Sequence, residues 1–324
     1  MDEFELTRRL EQARPALPRR GDPLTPAAAS TMQHIMTGRV QARRPRRSPI
    51  YLSVAAAIAV LLTVAVGMLT AQPAPVYATT TPPLLTVTPV EGTSKDLLMR
   101  LSEELPNTPA AESIRFQSWA LALTIGDEGV VQSVAVEPEV RVVEHRPEGS
   151  RIEVRRGEPY DSYGNKIQVD GYQVGELIWE QDFRPGEFPY VFAEPPTDAA
   201  AYPEFLQAGS VVPDPTTGDY LNLVRDLLGE RALTGAQTRA VLEFLATLPD
   251  LEVEGRVTDR LGRTGVSFTT DSRAPGEYVE RIIISDTGLG ILSFETTYVG
   301  NDRTDIQAPA VVSYTAWETT QPDN

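Results

Sequence analysis

The chain has 324 residues and a net charge of −16, with 45 acidic against 29 basic side chains, two histidines and no cysteine. Without cysteine there is no thiol catalysis, no Cys-based zinc site, no disulfide and no lipoprotein anchor. The acidic balance disfavours nucleic acid as a partner.

The charge is divided unevenly. Residues 1–49 carry ten arginines against five acids, a net +5. Asp2–Leu10 has acids first and arginines later, which suits a short helix. Residues 14–26 hold four prolines and a glycine and read as a linker. Thr25-Pro26 caps a second short helix over 27–38, with Met32, Ile35 and Met36 on one face. Two such helices cannot bury a core of their own. The arm is therefore either a docking segment for a cytoplasmic protein, such as a sigma factor, or a basic tail that sets topology. His34 stands without companions that could share a metal.

Ile50 to Ala71 is a run of 22 residues without a charge. About 20 apolar residues suffice for a helix to cross the hydrocarbon layer. Arg43, Arg44, Arg46 and Arg47 directly precede it, and such flanks stay in the cytoplasm. The expectation is one transmembrane helix, N-terminus inside, with a large domain of net charge −21 outside. A cleaved signal peptide ending near Val76-Tyr77-Ala78 fits less well, because both the preceding segment and the apolar run are too long. Residues 72–93, rich in proline and threonine, read as an extended stalk.

Residues 94–324 are expected to form one extracytoplasmic α+β domain. Ser94 caps a first helix with Leu97, Leu98, Leu101 and Leu105 on one face. Strands follow at 114–125, 130–136, 140–145, 151–155 and 172–183. Their phase slips near Ser118 and Gly175, where a bulge or bend is expected. A short helix is expected over 198–207. Two longer ones follow: 217–229, with Tyr220, Leu223, Val224, Leu227 and Leu228 on one face, and one opened by the capping box Thr234-Gly-Ala-Gln237, with Val241, Phe244, Leu245 and Leu248 inward. Five more strands occupy 251–258, 264–270, 278–285, 289–299 and 311–318. Asp259–Arg263 and Asp286–Gly290 are the turns between them, and Leu292, Phe294, Thr296 and Tyr298 alternate along one strand face. Strands, a helical insertion and strands again predict a curved, mainly antiparallel sheet packed on helices.

Little in the domain carries chemistry. His145 is the one histidine beyond the apolar run, lies within a predicted strand and has no G-x-S-x-G beside it. The pairs Asp127/Glu128, Glu137/Glu139 and Asp302/Asp305 sit at turns of an acidic surface, and Asp214–Asp219 reads as a turn plus helix cap. No phosphate loop and no metal-ligand spacing occurs. The expectation is a protein that is not an enzyme and has no cofactor. Trp119, Trp179, Tyr172, Phe183 and Trp317 either form plain core or line an apolar cavity. A pocket is expected between Trp179, Phe183 and the Phe244 helix face.

Three stretches, Leu248–Leu251, Val257–Val266 and Ile282–Leu292, resemble an actinobacterial family of uncharacterised single-pass membrane proteins. The strong preference for arginine, with Lys95 and Lys166 the only lysines, agrees with a high-GC genome of that kind. The resemblance implies a cytoplasmic arm, one span and an exterior strand-rich domain, with anti-sigma-like regulation as one suggested role. It lends no catalytic residue. The exterior domain also resembles the LolA-type lipoprotein-carrier fold, a half-barrel wrapped over helices, which implies a lipid or apolar ligand as the alternative partner.

Overall fold

The computed structural model describes residues 80–121, 135–303 and 305–318, and the backbone of a small hairpin, β2 (Ile125–Gly126) with β3 (Gly129–Val130). The arm 1–49, the apolar run Ile50–Ala71, the first part of the expected stalk, and most of the strand expected at 130–136 lie outside the described residues. Among the described residues no helix is long and apolar enough to cross a membrane.

The domain is α+β: four helices and a curved sheet of nine strands. β1 (Ser113–Ala120), β4 (Glu139–Arg146), β5 (Gly149–Arg156) and β6 (Leu177–Phe183) form one half of the sheet. β7 (Glu252–Thr258), β8 (Thr264–Thr270), β9 (Tyr278–Ser285), β10 (Ile291–Tyr298) and β11 (Ala310–Glu318) form the other. The order is β6-β5-β4-β1-β11-β10-β9-β8-β7, and every neighbouring pair is antiparallel. The halves join where β1 meets β11, from Arg115 opposite Glu318 to Ala120 opposite Ser313.

Three of the four helices lie in the connection between the two sheet edges. α1 (Ser94–Glu103) precedes β1. A 3-10 turn (Ala199–Ala201), α2 (Tyr202–Ala208), α3 (Thr217–Glu230) and α4 (Gly235–Leu245) lead from β6 to β7. α1 starts one residue earlier than Ser94 suggested, with Thr93 as the cap and its hydroxyl accepting from the Asp96 amide. α4 has the expected capping box of Thr234 and Gln237, and α3 has one as well, of Thr216 and Asp219. Arg239 of α4 donates to the carbonyls of Ser102 and Leu105, satisfying the open end of α1. Gly235 lets α4 begin against the loop after α1: a Cβ there would stand 2.0 Å from the Pro106 carbonyl oxygen.

One sheet face packs on these helices. In register across it run Phe268, Ile282 and Phe294, with Ile114, Phe116, Val143 and Trp317 beside them. Leu98, Leu206, Leu221, Leu227, Leu242 and Leu245 fill the space from the helix side, all fully buried. Burying side chains of this size stabilises by about 1.5–3 kcal/mol each.

The opposite face is covered too, which the alternating pattern did not reveal. All eight residues of β10 are buried. A bulge between Ile291 and Ser293 breaks the expected alternation, so Leu292 packs with Val257 and Ile283 on the second face while Phe294 faces the helices. Within the expected stalk, Pro83, Leu85, Val87 and Thr88 lie against this side of the domain, while Val90 packs on the helix-side core. Leu85 and Val87 pack on Val257, Ile283 and Leu292, and Thr88 forms a two-way backbone bridge with Arg256 of β7, at 2.9 and 2.7 Å. In the first half of the sheet, β1 keeps its register past Ser118, Gly175 forms a turn at φ +82°, and the bulge falls at Ile178.

Gly255 is the seat of that bridge. Its φ is +150°, and a Cβ there would come within 2.5 Å of the Thr88 carbonyl oxygen. Gly255→Ala is expected to cost about 1–3 kcal/mol through backbone strain and to remove hydrogen-exchange protection at the Thr88 amide. Unchanged protection at Thr88 would refute this account of the seat.

Candidate functional site

Three groupings of polar and aromatic side chains stand out. The first is a buried ionic network on the second face. Arg281 and Glu295 are direct cross-strand partners on β9 and β10, 3.2 Å apart. Arg260, from the β7–β8 turn, grips both oxygens of Glu295 at 2.7 and 3.1 Å and donates to the Pro83 carbonyl at 2.6 Å. Glu254 is the extra residue of a bulge in β7, which aims it at Arg281 (2.7 and 2.9 Å) and at the Ser267 hydroxyl (2.7 Å). Burial works against the charge of Glu254, yet Arg281 and Ser267 outweigh it and hold the carboxyl below its usual range. Tyr314 lies across from Glu295 and accepts from Gln117 at 2.7 Å. Two arginines against two glutamates leave the four ionic groups neutral, as buried charge requires.

The turn that supplies Arg260 was legible as a turn. Asp259 accepts from the amides of Leu261 and Arg263, and Gly262 sits at φ +81°. Its arginines do more than a turn needs. Arg263 pairs with Asp259 and reaches the carbonyls of Leu292 and Trp317, fastening the turn to β10 and β11. The only hint in the sequence was an arginine or glutamate set within strongly apolar strands, as in Tyr278–Ser285 and Ile291–Tyr298.

The second grouping surrounds His145. Its Nε2 lies 2.8 Å from the Glu230 carbonyl at the end of α3, so it carries the proton and donates there. Nδ1 is then the acceptor for Ser150 Oγ at 2.9 Å and Tyr190 Oη at 3.0 Å. The Glu230 carboxylate accepts from the amides of Val191 and Phe192, and Arg231 stacks over the Tyr190 ring at 3.8 Å. The serine–histidine contact thus belongs to a clamp that joins the sheet, α3 and the 188–192 loop.

The third grouping lies at the open sheet edge. Phe183 of β6 packs edge-on against Phe188 at 5.2 Å, and Phe188 meets Tyr190 and His145 at 4.6 and 4.7 Å. Trp179, Ile178 and Leu177 on the same strand are 44, 46 and 40 % exposed, against 0–7 % for most apolar residues elsewhere in the sheet. Six of the twelve large apolar side chains exposed among the described residues fall within 174–191, so the apolar surface is concentrated here.

Of the residues expected to share a pocket, Phe183 and Trp179 both belong to this edge strand. Phe244 lies elsewhere, deep under the helices, 5.9 Å from the Tyr202 ring and 5.2 Å from Tyr220. Trp317 is core against Phe116 and Phe294, Tyr172 donates to Gly157 and stacks under Arg156, and Trp119 is half-buried on β1. Asp302 accepts from Tyr298 and Asp305 from Arg303; Glu137 lies 4.0 Å from Arg156; Asp127 and Glu128 are outside the described residues. Among the described residues no group of three or more His, Asp or Glu is placed to hold a metal ion. The chain matches no protein-family model and no curated protein.

Glu280 is the buried carboxyl with an unmet demand. It is 3 % exposed, Oε1 pairs with Arg273 at 2.5 Å, and Oε2 has no hydrogen-bond partner. Burial pushes its pKa above the ordinary glutamate value of 4.5, and Asp219 nearby adds to the shift. A folded-state pKa above the unfolded one means stability that is present at low pH and lost as pH rises through the folded value. Glu280→Gln is therefore expected to flatten the melting-temperature profile above pH 4.5. A profile parallel to wild type would overturn that assignment. In contrast, Glu295→Ala strands two buried arginines and is expected to lose about 3–5 kcal/mol in denaturant titration, whereas the exposed pair Arg115–Glu318 is worth at most about 1 kcal/mol.

Proposed function

We propose that this protein is a single-pass membrane-anchored sensor or regulator that works by binding. In this reading residues 1–49 face the cytoplasm, Ile50–Ala71 crosses the membrane, and the α+β domain stands outside. The domain is assigned to the LolA-like half-barrel class on its single curved antiparallel sheet and one-sided helical layer. The anti-sigma-like role belongs to the arm, whose charge and short helical faces suit a cytoplasmic partner.

The observation that carries the binding reading is the concentration of exposed apolar and aromatic side chains at the β6 edge. Elsewhere the polar groups are consumed in structure: the ion pairs beneath residues 80–93, and His145 in its clamp. Apolar surface concentrated at one edge of an acidic domain marks an interaction site. The second reading, a tethered module for lipid or another apolar ligand, is favoured by the ring cluster of Phe183, Phe188 and Tyr190 at that same surface.

A reporter fused after Asn324 is expected to be active only outside the cytoplasm, and Glu in place of Arg43, Arg44, Arg46 and Arg47 should scramble that orientation. A reporter active inside the cell would remove the anchored reading. Residues 1–49 used as bait should retain a cytoplasmic regulator. An empty bait, together with lipid carried by the purified full chain, would instead favour the lipid-binding module.

A further inference from the structure

We propose that β6 is a strand-accepting edge, and that its occupant is an extended protein segment of alternating apolar and basic residues. The inference deepens the binding role above by naming the partner's chemistry, and rests on that reading.

The two edges of the sheet are treated differently. β7 is covered along part of its length by the chain itself, through Thr88 on Arg256 and the seat at Gly255. β6 has β5 on one side and, among the described residues, no strand on the other. Six of its seven residues are exposed and the seventh, Phe183, is half-buried. An open edge presents a row of unpaired backbone donors and acceptors, which is a template for another strand.

The side chains select what can pair there. On the helix side of the sheet, Trp179 stands beside Val154 and carries the apolar surface out to the edge, with Gln181 beside Ile152. On the other side Glu180 and Asp182 form the outermost row, with Arg151 behind them at 2.5 and 3.5 Å. Glu176, just before β6, pairs with Arg156 at 2.6 Å on the helix side, the face of β5 that also carries Val154. In register Asp182 faces Arg151 and Glu180 faces Glu153, with Arg151 bridging the two glutamates, so the outermost row on the side away from the helices is carboxylate with its arginine held one strand back. A further strand complements that row with lysine or arginine on the same side and apolar residues on the other, each opposite-charge pair adding to the ladder.

The same carboxylates reject a second copy. A two-fold dimer pairs β6 antiparallel with itself, and registers near the centre of the strand set Glu180 against Glu180 or Glu180 against Asp182. Like charges directly opposite are destabilising, and the strongly acidic domain repels its own kind.

The test uses the full chain in detergent micelles and a capped seven-residue peptide alternating valine and arginine, with the valine–glutamate peptide as control. Expected are hydrogen-exchange protection confined to residues 177–183, a shift in Trp179 emission, and affinity at least tenfold above the control. The exposed double reversal Glu180→Arg with Asp182→Arg should invert that preference. Equal binding of both peptides, protection elsewhere than β6, or an uninverted preference in a folded double variant would each overturn the proposal. So would protection of β6 that rises with protein concentration in the absence of peptide, since the occupant would then be a second copy. If the double variant does not fold, the wild-type protection pattern decides alone. Failure here with a C-terminal reporter still active outside the cell removes the strand partner and leaves the anchored reading standing. A cytoplasmic reporter with strand binding intact does the reverse.

Discussion

The pairing of β1 with β11 is the constraint on which the rest depends. It joins residues about 200 positions apart, Arg115 with Glu318 at one end of the ladder. Each half of the sheet is a meander of sequence-local antiparallel pairs, cheaper to close than the central ladder because each connection is far shorter than the span between β1 and β11. The central ladder is the one pairing that must organise the whole domain, since the loop entropy it fixes is large. Once it forms, β6 and β7 become opposite edges, and the connection between them has to traverse one face. That connection contains α2, α3 and α4, so the helical layer is a consequence of the strand order.

Covering one face with helices leaves the other to be solved by different means. Here the chain before α1 and the β7–β8 turn close over it, and they bury charge as well as apolar surface. Arg281, Glu295, Arg260 and Glu254 are held in a neutral set with bidentate geometry, the condition under which buried ions are tolerated. The bulges are what make this geometry available. One turns Glu254 toward Arg281, and another shifts Leu292 to the second face, so the local disruptions of the ladder carry the packing of that face.

Most of the polar chemistry of the described domain is thereby absorbed in holding it together, with Glu280 Oε2 an exception. Tyr314 and Tyr160 are both pushed up by burial, and His145 joins three elements. What remains accessible is a border: β6, the loop after it, and the rings of Phe183, Phe188 and Tyr190. The asymmetry between a seated edge and an open one is a property of the fold, and a binding role draws on it directly.

Local physics was readable in the chain. The capping box at Thr234, the Gly262 turn and the strands Thr264–Thr270 and Tyr278–Ser285 follow from side-chain chemistry within a few residues, and the α+β class follows from their order. The division into a basic arm, a charge-free run and an acidic remainder is equally a matter of composition. Long-range placement was not readable. Phe244 and Trp179 look alike as aromatic residues in amphipathic segments, yet one lies under the helices and the other on the open edge, because only strand order decides which strand is outermost. Residues 80–93 have the composition of a stalk, and the sheet turned part of them into cover, since Leu85 and Val87 find an apolar seat that no local pattern announces. The sequence by itself determined elements, turns and charge distribution, because those depend on neighbours along the chain. The tertiary structure decided which charges are paired and which edge is open, because those depend on strand register and order: the buried network joins residues 14 to 35 positions apart, and the central ladder joins Arg115 to Glu318, 203 positions on.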